Sequence, residues 1–210
     1  MNSTVPDYSI ALQALKASDP ILAEVIDRVG ECQLDQSQGT DDLFFALTES
    51  ILYQQLSGKA AAAIHRRFLQ LYGDRPSPTD LLNTSDEDLR GVGISRSKIL
   101  YLKDLAQKVS DGLPSLEQLE PMDDEAIIKT LTTIKGVGRW TAQMILIFRM
   151  HRWDVLPVDD LGVRSGIQRL YNLDALPNKA TVERIGQPWR PYRSIASWYL
   201  WRSVDLKTGQ

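Results

Sequence analysis

Apolar residues recur three and four positions apart along nearly the whole chain, which is the spacing of an amphipathic helix. The first clear stripe consists of Ile21, Leu22, Val25, Ile26 and Val29. Asp19 precedes it as a helix N-cap, Pro20 occupies the first helical position, and Gly30 can end the helix. No stretch alternates apolar and polar residues as a half-buried strand would. The sequence therefore predicts an all-α protein.

The same periodicity predicts further helices, and several of them have two candidate N-caps. Four of these segments are 80–82, 86–90, 161–170 and 192–204. Four others are marked by apolar faces within 44–52, 61–71, 99–109 and 126–131, and one more begins near residue 139. The alternative N-caps are Asp41 or Asp42, Ser95 or Ser97, and Asp123 or Asp124. Residues 31–40 are polar and contain Gly39, so we expect a connector there.

Composition limits the classes of protein that fit. The 210 residues, 43% of them apolar, suffice for one sizeable domain or two small lobes. A net charge of −3 argues against binding nucleic acid by bulk charge. However, residues 149–202 carry nine basic and five acidic side chains, so a local basic face is compatible with the sequence. Cys32 is the only cysteine, which excludes an internal disulfide, a cysteine-based zinc site and an iron–sulfur cluster.

Neither a membrane span nor a secretory signal is apparent. No apolar run approaches about 18 residues, and the first residues lack the basic-then-apolar pattern of a signal peptide. We therefore expect a soluble intracellular protein, cytoplasmic and nucleoid-associated in a bacterium or nuclear in a eukaryote.

A short turn, Lys135-Gly136-Val137-Gly138, separates two apolar helical segments, the second beginning near Arg139. Glycines permit positive φ and close backbone approach, and a helix N-terminus attracts an anion. This hairpin therefore predicts a site for one DNA phosphate, which would position a duplex without reading its sequence. A nucleotide-binding P-loop is excluded, because no Gly-Lys-Ser/Thr follows. The alternative is a plain turn between helices.

Two adjacent acids, Asp159 and Asp160, precede the segment 161–170. One of them can cap the helix, which leaves the other available for chemistry. One hypothesis is that the target is the N-glycosidic bond of a damaged deoxynucleotide, whose cleavage develops positive charge on the sugar. A carboxylate beside the anomeric carbon would stabilise that charge and would orient or deprotonate the attacking water. A base alkylated on a ring nitrogen is already cationic and leaves without a general acid. This matters because the only histidines are His65 and His151, neither in an obvious catalytic setting.

Such an enzyme must also take the base out of the stack and hold it. Aromatic faces bind an electron-poor ring well. The aromatic candidates are Tyr53, Trp140, Trp198, Tyr199 and Trp201, any of which can instead belong to the core.

Four segments carry a resemblance when they are taken together and in this order: Ile51-Leu52-Tyr53-Gln54-Gln55-Leu56-Ser57, Gly136-Val137-Gly138-Arg139-Trp140-Thr141-Ala142, Leu156-Pro157-Val158-Asp159-Asp160-Leu161-Gly162 and Trp189-Arg190-Pro191-Tyr192-Arg193-Ser194. They resemble the helix-hairpin-helix DNA glycosylase superfamily, and within it the AlkA-like 3-methyladenine DNA glycosylase II branch. The resemblance implies the compact form of the family, without an N-terminal β domain. It implies two helical lobes, residues 1–45 with 172–210 and residues 46–171, and a DNA-binding cleft between them.

The resemblance also assigns roles to residues. It makes Asp160 the catalytic residue and places Trp140, Trp201, Tyr53 and Met144 at the substrate pocket, Met144 where an aromatic is expected. It assigns DNA contacts to the loop residues Gln54, Gln55 and Ser57 and to the hairpin residues Gly136, Gly138, Arg139 and Thr141. It implies that the main-chain carbonyls of Thr132, Ile134 and Val137 hold a structural monovalent cation. No cofactor is expected for catalysis.

The implied activity is that of a monofunctional, monomeric DNA glycosylase that removes 3-methyladenine and 7-methylguanine from double-stranded DNA. Family members that also nick the strand carry a lysine at the position of Trp140, so no lyase activity is expected. Two alternatives stay open. One is a glycosylase for 1-methyladenine, 3-methylcytosine or deaminated bases, and the other is a non-catalytic DNA-binding module.

Overall fold

The computed structural model describes residues 7–36 and 42–205, and all regular structure within these ranges is helical. It comprises thirteen α-helices and two 3-10 helices, Leu34–Gln36 and Gln187–Trp189. The α-helices are α1 Ser9–Ser18, α2 Pro20–Val29, α3 Leu43–Tyr53, α4 Gly58–Tyr72, α5 Pro78–Asn83, α6 Asp86–Gly91, α7 Arg96–Ser110, α8 Leu116–Leu119, α9 Asp124–Leu131, α10 Arg139–Phe148, α11 Leu161–Leu170, α12 Lys179–Gly186 and α13 Arg193–Asp205. The predicted all-α class is confirmed. Within the described ranges, no helix has the length and apolar character needed to cross a membrane.

The structure identifies the N-caps that the sequence left open. Asp42 accepts a hydrogen bond from the Phe45 N–H at 3.2 Å, and Ser95 caps α7. Asp123 caps α9. The alternative cap Asp41 and Gly39 of the predicted connector lie outside the described residues.

Residues 42–145 form one compact unit, the continuous unit. Its centre is α7, which packs against both α3 and α5. Apolar residues at helical spacing hold α7 in place, since Ile99, Leu102 and Leu105 are all buried. Burying side chains of this size stabilises the fold by about 1.5–3 kcal/mol each.

Residues 7–36 and 146–205 form the second unit, the discontinuous unit. In it α2 packs on α13, and α11 also packs on α13. Gly166 permits the second contact, because a Cβ there would lie 2.9 Å from the Leu200 carbonyl oxygen. The boundary predicted after residue 171 is therefore wrong. The unit already resumes at Leu146, because α11 buries its apolar face against α13. The boundary predicted after residue 45 would divide α3, which lies wholly in the continuous unit.

A buried carboxylate joins the chain segments of the discontinuous unit. Asp19, which is 8% exposed, caps α2 and accepts hydrogen bonds from the Trp189 indole N–H at 2.8 Å and from the Tyr171 hydroxyl. Burial and the adjacent Asp19 raise the pKa of Tyr171 well above its ordinary value. The hydroxyl therefore stays protonated and continues to donate.

Candidate functional site

The predicted hairpin lies between α9 and α10 in the continuous unit. Ile134 and Val137 are buried at 1% and 4% exposure, and the Val137 N–H donates to the Ile134 carbonyl at 3.1 Å. Gly136 has φ +79°, and a Cβ there would lie 2.3 Å from Tyr101 Cδ2. Glycine is thus required at 136, both by the backbone conformation and by the ring packed against it.

Gly138 differs from Gly136. A Cβ at Gly138 would meet no atom within 4 Å, so the protein leaves the space above this residue open. Its carbonyl accepts the N–H of Ala142 at 3.1 Å, which makes Gly138 the residue where α10 starts. An open backbone surface at the positive end of a helix dipole suits an anion.

The two basic residues of the hairpin have acidic partners. The Arg139 guanidinium donates to both carboxylate oxygens of Glu125, at 2.8 Å for the Nη1–Oε2 pair. This hydrogen bonding lowers the pKa of the Glu125 carboxyl below its ordinary value. Lys135 has Asp104 as its partner, through a backbone N–H to Oδ2 distance of 2.9 Å and an Nζ to Oδ1 distance of 3.5 Å. The charge of the hairpin is therefore less positive than its own residues suggest.

The second predicted DNA-contacting segment is the 53–57 loop, which connects α3 to α4. The Gln54 side-chain amide donates to the Gly136 carbonyl at 2.9 Å, so this side chain connects the loop to the hairpin. Gln55 is exposed and has φ +56°. Ser57 caps α4 by accepting the Ala60 N–H at 3.4 Å. Of the three predicted residues, Gln55 is thus the one that projects from the loop.

A cavity of about 550 Å³ brings the loop and the hairpin together in the continuous unit. Its lining consists of Ser50, Tyr53, Gln54, Gln55, Tyr101, Gly136, Trp140 and Thr141. Six of these residues were predicted, whereas Ser50 and Tyr101 were missed. Trp140 is 43% exposed, so its ring is accessible. Met144 lies one turn further along α10, half-buried, and does not line this cavity.

Main-chain oxygen atoms are the only ligands that the sequence proposed for a cation at the hairpin. Carbonyl oxygens at Thr132, Ile134 and Val137 are hard ligands of the kind that coordinate alkali cations. The Ile134 carbonyl already accepts one hydrogen bond, from Val137, and a carbonyl oxygen has a second lone pair. The residues present therefore fit such an ion.

Asp160 belongs to the discontinuous unit and begins α11. Its Oδ1 accepts the Val163 N–H at 2.8 Å and the Trp201 indole N–H at 2.7 Å. Asp159 instead pairs with Lys179 at 2.7 Å. The expectation that one of the two acids caps the helix is therefore confirmed, and the other acid, Asp159, forms an ion pair. Asp160 is itself the cap, because its position allows Oδ1 to reach the N–H three residues on.

The Asp160–Trp201 contact depends on a glycine between them in space. A Cβ at Gly162 would lie 2.6 Å from Trp201 Cδ1 and 3.1 Å from Asp160 Oδ1. On its other side the Trp201 ring stacks on Phe148, with centroids 5.6 Å apart and an interplanar angle of 23°. The hydrogen bond and the stacking together fix the indole, and through it the carboxylate. Neither Gly162 nor Phe148 was recognised as a site residue in the sequence.

The other C-terminal aromatics have different surroundings. Arg202 lies over the Trp198 ring at 5.8 Å. Tyr199 is fully buried and its hydroxyl donates to the Gly30 carbonyl at 2.8 Å. Of the three C-terminal candidates, Trp201 is the one hydrogen-bonded to Asp160.

Comparison with known proteins gives consistent matches. A family model described as HhH-GPD superfamily base excision DNA repair protein matches residues 48–191. DNA-3-methyladenine glycosylase 1 of Schizosaccharomyces pombe is 36% identical over 195 residues, which cover 91% of this chain and 86% of that protein. The solved structure of the S. pombe 3-methyladenine DNA glycosylase Mag1 in complex with abasic DNA aligns with a TM-score of 0.86 and 35% identity, covering 94% of this chain and 98% of that one. A DNA-3-methyladenine glycosidase from Bacillus halodurans aligns with a TM-score of 0.82 and 36% identity, covering 93% and 89%.

Proposed function

Because the chain belongs to the HhH-GPD superfamily of base excision DNA repair proteins, we propose that it hydrolyses the N-glycosidic bond of alkylated bases in DNA and that Asp160 carries the chemistry. The relatives named above are 3-methyladenine DNA glycosylases, and one of them was solved bound to abasic DNA. DNA is accordingly the partner. The substrates we assign are 3-methyladenine and 7-methylguanine in duplex DNA, and the enzyme acts as a monomer.

The observation that carries this proposal is the fixed carboxylate of Asp160. Hydrogen bonds from the Val163 N–H and the Trp201 indole hold Oδ1 in one orientation, so the group is preorganised. As the bond between sugar and base lengthens, positive charge develops on the sugar, and a carboxylate beside it lowers the energy of that state. The same carboxylate orients the attacking water and accepts its proton. Water attacks the anomeric carbon, the base departs with the bonding electrons, and an abasic sugar remains.

The leaving group needs no proton donor when the base is alkylated on a ring nitrogen. Such a base carries a positive charge and becomes neutral when it takes the bonding pair. Aromatic rings bind the cationic base before cleavage, a role we assign to Trp201, whose indole is hydrogen-bonded to Asp160. Because Trp140 has no amine to form a Schiff base with the sugar, the reaction is monofunctional and ends at the abasic site.

The hairpin and the 53–57 loop hold the duplex. The open space above Gly138 at the start of α10 supports a close approach of one phosphate, with Thr141 in the first turn of the helix. Arg139 contributes charge that Glu125 partly offsets. A monovalent cation on the carbonyls of Thr132, Ile134 and Val137 would add positive charge beside that phosphate when bound. Gln55 projects from the loop to fill the space that a flipped nucleotide vacates.

The test is release of free base from DNA treated with a methylating agent, with the products resolved by chromatography. We expect the wild type to release 3-methyladenine and 7-methylguanine. Asp160→Asn should lower the rate by about 10²-fold or more, because it removes the base that activates water. Asparagine remains a good N-cap, so the variant should stay folded and still bind abasic DNA.

Asp159→Asn is the matched control, since it changes the neighbouring acid and removes only a surface ion pair with Lys179. It should release base as the wild type does. Equal activity of the two variants would contradict the role of Asp160. If the wild type binds abasic DNA but releases no base, the chain is a binding module for these lesions. Borohydride should trap no covalent complex on DNA.

A further inference from the structure

We propose that one side of α7, formed by Lys98, Tyr101 and Asp104, is a positioning surface that sets the 53–57 loop and the hairpin turn in the arrangement that binds DNA. We name it the α7 strut. Its members are three residues apart, so they share one side of the helix. The proposal rests on the proposed function, because it takes both segments to be DNA contacts.

Lys98 forms the end of the strut that holds the loop. Its ammonium donates to the carbonyls of Leu52 and Gln54, each at 2.7 Å. Partial burial lowers the pKa of Lys98 below its ordinary value, as is expected of an ammonium withdrawn from water. A lysine placed in this way is not arranged to grip a phosphate. It fixes one carbonyl in the last turn of α3 and one in the loop that follows.

Tyr101 and Asp104 hold the hairpin. The Tyr101 ring lies where a Cβ at residue 136 would be, so it determines how close the turn approaches α7. Asp104 accepts the Lys135 backbone N–H at 2.9 Å, and its side chain is only 17% exposed. The two contacts fix consecutive residues of the turn.

The loop and the hairpin also contact each other directly, through the Gln54 amide and the Gly136 carbonyl. The result is a closed set of contacts, from Lys98 to the loop, from the loop to the turn, and from the turn back to α7. Ile99, Leu102 and Leu105, each next in sequence to a member of the strut, are buried, so the strut is anchored in the core. The loop and the turn thereby acquire the fixed spacing that a DNA backbone requires.

The first experiment compares Lys98→Met with Lys103→Met. Lys103 is on the same helix and forms an ion pair with Asp86, away from both segments. Binding to a duplex with an abasic-site analogue is measured over a range of salt concentrations, together with kcat, KM and the melting temperature. Lys98→Met should weaken binding by about tenfold, the effect of losing a charged hydrogen bond. It should raise KM and leave kcat unchanged, whereas Lys103→Met should resemble the wild type.

The salt dependence separates positioning from direct contact. If Lys98 only positions the loop, the plot of log Kd against log salt concentration has the same slope for Lys98→Met as for the wild type. A lysine that neutralises a phosphate would instead reduce the slope by about one when removed. A reduced slope, or wild-type affinity in Lys98→Met, would overturn the proposal. The proposal would also be overturned if the loss of DNA binding in Lys98→Met equalled its loss of folded protein at each temperature.

Asp104 gives a second test, in which the expected change in DNA affinity is opposite to the change that charge alone would cause. Removing an acid near DNA should tighten binding if charge alone mattered. Asp104→Ala should nevertheless weaken binding, because the Lys135 N–H loses its acceptor. Asp104→Asn, which retains an acceptor oxygen, should bind as well as the wild type or better. Tighter binding by Asp104→Ala would show that the strut does not position the turn.

Chemical rescue addresses the case in which Lys98→Met folds poorly. Lys98→Cys is treated with 2-bromoethylamine, which builds a lysine analogue carrying an ammonium at nearly the same distance. The only native cysteine, Cys32, is 8% exposed, and burial raises the pKa of its thiol to about 11, so it reacts slowly. Aminoethylation should restore DNA binding in Lys98→Cys and leave the treated wild type unchanged. Failure to restore binding in folded, fully modified protein would refute the role of the ammonium. Because wild-type base release decides the proposed function separately, the two conclusions can fail independently.

Discussion

The two glycines of the hairpin should respond differently to substitution by alanine, since the change should lower stability at Gly136 and DNA affinity at Gly138. Gly136→Ala forces alanine into φ +79°, which costs about 1–2 kcal/mol. Its Cβ would also lie 2.3 Å from Tyr101 Cδ2, and overpacking of this kind costs about 1–3 kcal/mol. The sum, about 2–5 kcal/mol, lowers the melting temperature of a chain of this size by about 4–20 °C.

Gly138→Ala should behave differently, because its Cβ meets no protein atom within 4 Å. Alanine restricts the unfolded chain and thereby stabilises by about 0.4–1 kcal/mol. It is also a poorer residue than glycine at the start of a helix, with an opposing cost of similar size. We therefore expect an unfolding free energy within about 1 kcal/mol of the wild type. The new methyl group would occupy the space proposed for the phosphate, so affinity for DNA should fall by about tenfold.

The assay combines thermal unfolding followed by circular dichroism with fluorescence anisotropy on a duplex carrying an abasic-site analogue. Gly136→Ala should shift the melting temperature, and Gly138→Ala should shift the dissociation constant and reduce the salt slope by about one. If Gly138→Ala binds DNA with wild-type affinity and slope, no phosphate approaches this backbone. An unchanged melting temperature for Gly136→Ala would refute the packing argument.

Three further outcomes are expected. Trp201→Phe preserves an aromatic ring but removes the N–H donor to Asp160, so the single-turnover rate of base release should fall by about tenfold with little change in melting temperature; an unchanged rate would contradict the orienting role of the indole. Glu125→Gln removes a negative charge beside Arg139, so DNA binding should tighten and its salt dependence should steepen, which anisotropy at several salt concentrations will test. Tyr171→Phe removes the hydroxyl donor to the buried N-cap carboxylate of α2, and denaturant unfolding should show a loss of about 1–3 kcal/mol while base release per folded molecule stays constant.

Features that depend on neighbouring residues were predictable from the sequence. The Asp19-Pro20 start of α2 and the glycine-containing turn before α10 were both correct. The helix α12 was missed, although Asn178 caps it in the usual way. Four-residue α8 is too short for periodicity to reveal it.

Contacts between distant residues could not be predicted in the same way. Nothing in the local pattern pairs Tyr101 with Gly136, or Lys98 with the carbonyls at the end of α3. The roles of the two adjacent acids show the limit most clearly. Sequence reasoning divided capping and chemistry between them, whereas Asp160 caps α11 and is also the residue held by Trp201. Which of two neighbouring acids reaches a given N–H depends on backbone angles that the sequence does not state.

The buried carboxylate of Asp19 has a consequence for how the chain is made. Its partners Tyr171 and Trp189 lie 152 and 170 residues further along the chain, so they leave the ribosome long after it does. All residues of the continuous unit, 42–145, are synthesised before residue 146, so this unit can complete its core first. The contact of α2 with α13, in contrast, can form only after α13 is synthesised. Trp201 is on that same helix, so the carboxylate acquires its orienting partner only when synthesis of the described chain is nearly finished.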